Sequence, residues 1–269
     1  MTIEQMNEKR KELGYSYKKL AELSGVPVGT IQKVLGGITK APRYETLKAL
    51  EKALRPVEDD WFSYDWEKDV SVRENLTYAG RKQGMYTIED YYAISEDERV
   101  ELIDGVIYDM SSPTSIHQVI AGKIFYKLEN YVTDKKGPCI PMISPINVQL
   151  DCDDKTILQP DVIVVCDRDR FKKGIVYGAP DFVVEVLSPS TRKKDKTLKL
   201  KKYMDACVRE YWIVDPHKKN IVVYADDGDG DYDIFVYTFD NEVPVRIFDG
   251  ECKIDFKEIY DYIAFLYEK

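Results

Sequence analysis

GAPDFVVEVLSPSTRKKDKTLKLKKYMDACVREYWIVDP, residues 178–216, is the stretch on which the reading of this chain turns. Its first part is an apolar strand, expected over 181–187, with Glu185 inside it. Strand alternation puts Val183, Glu185 and Leu187 on one face, and Phe182, Val184 and Val186 on the other. A carboxylate in such a strand is costly unless it is paired or holds a cation. After the turn Ser188-Pro189-Ser190, residues 192–202 carry seven basic residues and one acidic residue. A helix over about 192–206 aligns Asp195, Lys199 and Tyr203 along one face, at i, i+4 and i+8. Helical spacing can then return Lys199 over the end of the Glu185 strand, where it could stabilise phosphate charge or position water. The plainer alternative is an Asp195–Lys199 pair on a solvated helix, adding roughly 0.2–0.5 kcal/mol.

Working outward, two more carboxylates stand in comparable contexts. Asp161 opens the apolar run DVIVV, after Pro160. Glu101 lies in VELIDGVIYDM, which reads as a hairpin with a tight Asp104-Gly105 turn. Two carboxylates on adjacent strands would suit Mg²⁺, an oxygen-seeking ion that keeps positions open for water and phosphate. For Glu185 the competing reading is a salt bridge to a nearby Lys or Arg, and the sequence leaves both open. YTIEDYYAI reads as a short helix. Ile116, Val119, Ile120, Ile124 and Leu128 mark the apolar stripe of a helix over 113–132. Further strands are expected near 144–150, 160–166, 209–215, 220–225 and 232–238, with a closing helix at 256–267. Strands flanked by helices give an α/β (α+β) domain, a mixed sheet covered by helices.

The chain has 269 residues and a net charge of −9. The charge is divided unevenly: residues 1–57 balance to +5 and residues 58–269 to −14. A basic module joined to an acidic body points to a nucleic-acid-binding element on a larger protein. Met6, Leu13, Leu20, Leu23, Ile31, Leu35, Leu47, Leu50 and Leu54 recur at helical spacing, predicting helices near 3–13, 17–24, 28–36 and 43–54. Three domains follow: a helical module over 1–57, a linker over 58–84, and the α/β body over 85–269. The linker carries Trp61, Phe62 and Trp66, which suggest docking on a surface rather than free flexibility. No apolar stretch reaches a membrane span, and MTIEQMNEKR lacks the apolar core of a secretory signal. The expected compartment is the cytoplasm, and the five scattered cysteines read as reduced thiols. The chain's two histidines argue against a His-based zinc cluster. No GxSxG, GxxxxGK[ST] or GxGxxG motif is present.

Two resemblances follow from these residues. SYKKLAELSGVPVGTIQKVLGG has the layout of a helix-turn-helix, with small Ala21 at the helix crossing and Gly25 at the turn. Residues 3–54 resemble the lambda-repressor-like family, in which the second helix of the pair enters the major groove. That places Val28, Gly29, Thr30, Gln32 and Lys33 toward base edges, with Lys18 and Arg43 as phosphate contacts. The alternative is a small bundle that docks protein.

VELIDGVIYDMSSPTSIHQ, QPDVIVV and the stretch 178–216 together resemble the Uma-two family of restriction endonuclease-like proteins. That family is placed in the PD-(D/E)xK nuclease superfamily, and the similarity spans roughly 85–265. The resemblance implies a metal-dependent endonuclease hydrolysing DNA phosphodiesters with Mg²⁺ or Mn²⁺. Asp161, Glu185 and Glu101 would match its acidic residues, as metal ligands and catalytic groups. Leu187 stands where the simple motif has lysine, so Lys199 on the following helix is the matching candidate. His117 and Tyr203 also match family positions. For His117, a bond to a neighbouring acid and a satisfied helix-face position are both open. Arg192, Lys193, Lys194 and Lys196 would hold the DNA backbone. Double-stranded DNA and a homodimer are the expected partners. The alternatives are a DNA-binding transcriptional regulator with an inactive nuclease fold, and a protein-docking module. RNA is also open as substrate.

Overall fold

A computed structural model of the chain describes residues 2–12, 15–39, 42–54, 82–94, 98–226, 228 and 232–268. Most of the expected linker, with Trp61, Phe62 and Trp66, lies outside them.

Four helices make the N-terminal bundle: α1 (Ile3–Glu12), α2 (Tyr17–Ser24), α3 (Val28–Leu35) and α4 (Tyr44–Leu54). Met6, Leu20, Ile31, Val34, Leu35, Leu47, Leu50 and Leu54 form its core. The turn between α2 and α3 is built by local chemistry. Ser16 caps α2 by accepting from the Lys19 amide. Gly25 closes it at φ 73°, and its N–H donates to the Ala21 carbonyl. Pro27 then precedes α3, where a missing N–H costs nothing.

The body is organised by a six-stranded mixed sheet. Its strands are β3 (Ile140–Ile143), β5 (Val162–Val165), β8 (Phe182–Val186), β9 (Glu210–Asp215), β10 (Asn220–Asp226) and β11 (Tyr232–Thr238). Across the sheet they run in the order β11-β10-β9-β8-β5-β3. Within this sheet only β8 and β9 pair in parallel. The helix between them, α7 (Arg192–Lys194), runs through a π-helical turn at Asp195–Lys199 into α8 (Leu200–Asp205). Against one sheet face pack α6 (Ser115–Lys135) and α9 (Phe256–Ile263), around Ile120, Ile124, Leu128, Val184, Trp212 and Phe256. The other face, with Val183, Leu187, Tyr211 and Ile213, is covered by Leu200 and Tyr203 of α8. Ile103, Val106 and Tyr108 of the β1 (Val100–Ile103) and β2 (Val106–Asp109) hairpin cover it too. The two faces of β8 are those that alternation predicts. The short helix expected in YTIEDYYAI forms as α5 (Ile88–Ala93). The hairpin turn also forms as expected, with Asp104 at φ 50° and Gly105 at φ 77°.

Two local expectations are corrected. The strand expected at 144–150 is a bend followed by the two-residue β4 (Val148–Gln149). The sheet's edge strand is instead β3, four residues earlier. β4 joins β6 (Phe171–Lys172) and β7 (Ile175–Tyr177) in a small sheet. These strands are too short for periodicity to reveal, as are β12 (Glu242–Pro244) and β13 (Lys253–Asp255). Finally, the cysteines are not all reduced thiols. Cys139 and Cys166, flanking the β3–β5 pair, form a disulfide, because the strand register brings them face to face. Among the described residues no helix is long and apolar enough to cross a membrane.

Candidate active site

A cleft of about 300 Å³ opens at the end of β8, lined by Glu101, His117, Gln159, Asp161, Glu185, Asp195 and Lys199. Three separate stretches of sequence meet there because of sheet register. Val162 pairs with Val184, so Asp161, one residue before β5, lies beside Glu185 on β8. Asp161 is held in place by the Val186 amide, which donates to Oδ2 at 2.7 Å. His117, in the first turn of α6, puts Nε2 3.1 Å from the same oxygen. Of the two readings of His117, the bond to an acid is the one the structure contains.

Lys199 lies at the centre of the cluster. Its Nζ is 3.0 Å from Glu185 Oε1, 2.7 Å from Glu101 Oε1 and 3.5 Å from Asp195 Oδ1. Tyr203 Oη donates to Glu185 Oε1 at 2.8 Å. The expected helix face is therefore real, but it is buried rather than solvated. Leu187, at the position where the simple motif has lysine, is buried in the core. The ammonium beside Glu185 comes from the helix.

The π-helical turn explains a second lysine. In an α-helix, residues three and four apart share a face; widening to i→i+5 lets Lys194 and Lys199, five apart, both point inward. Lys194 is 1% exposed and lies 3.1 Å from Glu101 Oε2. Its expected place on the DNA backbone is thus corrected: it is enclosed, with its charge opposite Glu101. Arg192 makes a two-pronged pair with Asp215, at 2.6 and 2.8 Å, and Lys196 approaches Asp215 at 3.6 Å. Lys193 is exposed.

Electrostatics follow from this crowding. Burial would raise the Glu101 pKa, but Lys199 and Lys194 outweigh it and bring it down to about 2. Glu185 is pushed well up, by burial first and then by the neighbouring acids, with Lys199 opposing. Asp195 is raised by burial in the same way. Lys199 is held well above its ordinary value by Glu101, Glu185 and Asp195, despite burial. Burial lowers the His117 pKa, and Asp161 more than restores it.

Among the described residues no group of three or more His, Cys, Asp or Glu is arranged to hold a metal ion. Glu101 is engaged elsewhere: its two oxygens face Lys199 and Lys194, and Oε1 also accepts from the Gln159 amide at 3.1 Å. The three-carboxylate set expected from the sequence is therefore not assembled. Asp161 and Glu185 are side by side in the cleft. Both are hard oxygen donors, and burial with the neighbouring acids disfavours the charge of Glu185 even beside Lys199. That pair fits an ion such as Mg²⁺, which needs one or two carboxylates and completes its shell with water and phosphate.

Sequence reasoning missed Asp195 as a member of the site, the burial of Lys194 and the Gln159 amide. The run RKKDKTLKLKK held the signal for the first two, because a lone acid amid seven basic residues invites pairing. No sequence pattern announces the π turn.

In the N-terminal bundle, Val28, Gly29, Gln32 and Lys33 are exposed along α3 and Thr30 is half-buried. Lys18 on α2 is exposed. Arg43 is exposed as well, but its backbone bridges to Asp233 of β11, so it lies at the junction with the body.

A nuclease-like α/β body with a carboxylate-lysine cleft, preceded by a helix-turn-helix, is the class that this fold and site define. The chain belongs to the Uma2 family, described as "Putative restriction endonuclease", which it matches over residues 88–256. Residues 6–62 match a helix-turn-helix family. A curated relative from Synechocystis, described as uncharacterized, is 30% identical over 181 residues, covering 66% of this chain and 92% of the relative. The solved structure of a "putative nuclease belonging to DUF820" from Anabaena variabilis is similar in fold, with TM-score 0.54 and 20% identity. It covers 66% of this chain and 98% of that one.

Proposed function

We propose that the protein is a metal-dependent DNA endonuclease of the PD-(D/E)xK type, brought to duplex DNA by its helix-turn-helix. The observation that carries this reading is the Asp161–Glu185 pair at a cleft with the Lys199 ammonium 3.0 Å from Glu185. Asp161 and Glu185 would hold Mg²⁺ or Mn²⁺. The bound ion would supply a water of lowered pKa and polarise the scissile phosphate. The Val186 amide and His117 orient Asp161 for that task. Tyr203 and Lys199 hold Glu185, and Glu101 with Asp195 keeps Lys199 charged and aimed at the cleft. In this arrangement Glu101 acts through Lys199 rather than as a direct ligand. Lys199 stabilises the charge that builds on the phosphate as the bond to the leaving oxygen breaks.

On α3, Thr30, Gln32 and Lys33 read bases, with Gln32 suited to adenine and Lys33 to guanine or phosphate. Lys18 and the exposed Lys193 contact the backbone. The protein works as a homodimer, since two-fold operators and double-strand cleavage both call for a two-fold axis.

The test is plasmid cleavage with Mg²⁺ or Mn²⁺, beside EDTA and a Glu185→Ala control. Cutting that needs both the metal and Glu185 is expected. Salt-sensitive DNA binding by wild-type protein without cutting would replace this reading with a regulator built on an inactive nuclease fold.

A further inference from the structure

A continuous column of aromatic rings joins the N-terminal bundle to the catalytic cleft. It starts at Tyr44, the first residue of α4, whose ring stands edge-on to Tyr224 of β10 with centroids 6.0 Å apart. Tyr224 stacks on Tyr211 of β9 at 6.1 Å and 24°. Tyr211 packs against Tyr203 of α8 at 4.8 Å. Tyr203 ends the column with its hydrogen bond to Glu185. Tyr211 makes a second connection: its Oη donates to the Asp195 carbonyl at 3.1 Å, at the start of the π-helical turn. Tyr203 and Tyr211 are fully buried and Tyr224 nearly so.

The bundle meets the body at this column. Ile234 of β11 packs into the bundle core, and Arg43 bridges to Asp233. Beside Tyr44 lies a cavity of about 260 Å³, lined by Met6, Leu47, Leu200, Val222, Tyr224 and Ile234. Leu200 directly follows Lys199. A close-packed core transmits displacement, whereas unfilled space beside one end leaves that end free to shift. The column is therefore packed at the Glu185 end and loosely seated at the Tyr44 end, where DNA engagement would act on the bundle.

We propose that Tyr211 and Tyr224 are positioning residues for the Glu185–Lys199 pair. Through Tyr44, the seating of the N-terminal bundle is part of that positioning. The inference rests on the nuclease reading. Its physical content is the rings: removing a ring loosens the π-helical turn and misplaces Lys199, and a small misplacement slows a pre-organised reaction steeply. Removing only the Tyr44 or Tyr224 hydroxyl leaves the rings in place.

The test uses the full chain and the variants Tyr44→Ala, Tyr44→Phe, Tyr224→Leu, Tyr224→Phe and Tyr211→Phe, each checked for an intact thermal melt. Amide hydrogen exchange over residues 195–205 is measured first, without metal or DNA. Single-turnover cleavage at saturating duplex and duplex affinity by anisotropy follow. Tyr44→Ala and Tyr224→Leu are expected to speed exchange in that segment and to lower the cleavage rate about tenfold, with duplex affinity unchanged. The two phenylalanine variants at these positions are expected to match wild type in all three. Tyr211→Phe, which keeps the ring but loses the bond to Asp195, is expected to speed exchange in that segment and to slow cleavage, with duplex affinity unchanged. Unchanged exchange in Tyr44→Ala would overturn the link from bundle to helix. Faster exchange with undiminished cleavage would overturn the positioning role. A wild-type protein that cuts no DNA would overturn the nuclease reading, while the exchange measurement would still decide the link.

Discussion

Lys199 carries more of the site than any other side chain, because three carboxylates converge on one enclosed ammonium. Its neutral replacement Lys199→Met leaves Glu101 and Glu185 buried without that charge, a situation that costs about 3–5 kcal/mol when one partner of a buried pair is removed. Urea unfolding of the variant should show a loss of that order, and cleavage should fall to the level of Glu185→Ala. A stability close to wild type would mean that the neighbouring acids take up protons instead. Glu101 gives a pH signature. Its folded pKa, about 2, lies below its ordinary value of 4.5. Its contribution is therefore complete above pH 4.5 and disappears as pH falls toward 2. The urea midpoint should drop through that window in wild type. In Glu101→Gln the drop should be shallower, from a lower starting stability. The sequence located Glu185, Asp161, Glu101 and Lys199 because their charges stand out against apolar strands or within a basic run. It did not reveal which carboxylate pairs with which lysine, since those partners lie up to 98 residues apart.

At the scale of elements, local chemistry explains most of what forms. The Asp104-Gly105 turn needs two residues at positive φ, and a Cβ on Gly105 would come within 2.5 Å of the Gly84 carbonyl oxygen. Gly105→Ala should cost more than about 1 kcal/mol, read as a lower melting temperature, because both strain and overlap oppose it. The basic helix tells the opposite story. Its composition suggested a surface for DNA, yet Lys194 and Lys199 turn inward and Arg192 is bound to Asp215. Among these residues Lys193→Ala should weaken DNA binding, and Lys194→Ala should chiefly destabilise the fold. Duplex affinity measured beside thermal melting separates the two, and equal losses of affinity would refute the distinction. On α3, Lys33→Ala should reduce the salt dependence of binding by about one phosphate contact. Gln32→Ala should instead relax base preference, as read by binding to a panel of duplexes.

At the scale of the whole molecule, a basic bundle is attached to a body of opposite charge. Affinity for DNA must come from the bundle and from local basic groups, because the field of the body repels a polyanion. Binding should therefore fall steeply between 50 and 200 mM salt, and Lys18→Ala combined with Lys33→Ala should remove most of it. The proposed homodimer is checked by sedimentation at several protein concentrations, alone and with duplex DNA. A single monomer species in both would exclude it. What the sequence determined by itself was whatever short range or periodicity controls: the four helices of the bundle, the alternating faces of β8, the hairpin turn, and the identities of the charged residues in the cleft. The pairing of Cys139 with Cys166, the edge strand β3, the inward turn of Lys194 and the seating of the bundle were decided only in the tertiary structure. Each depends on register or packing between segments distant in the chain. Two strands can slide by whole residues without changing their local pattern, and only burial of the complete core selects one alignment.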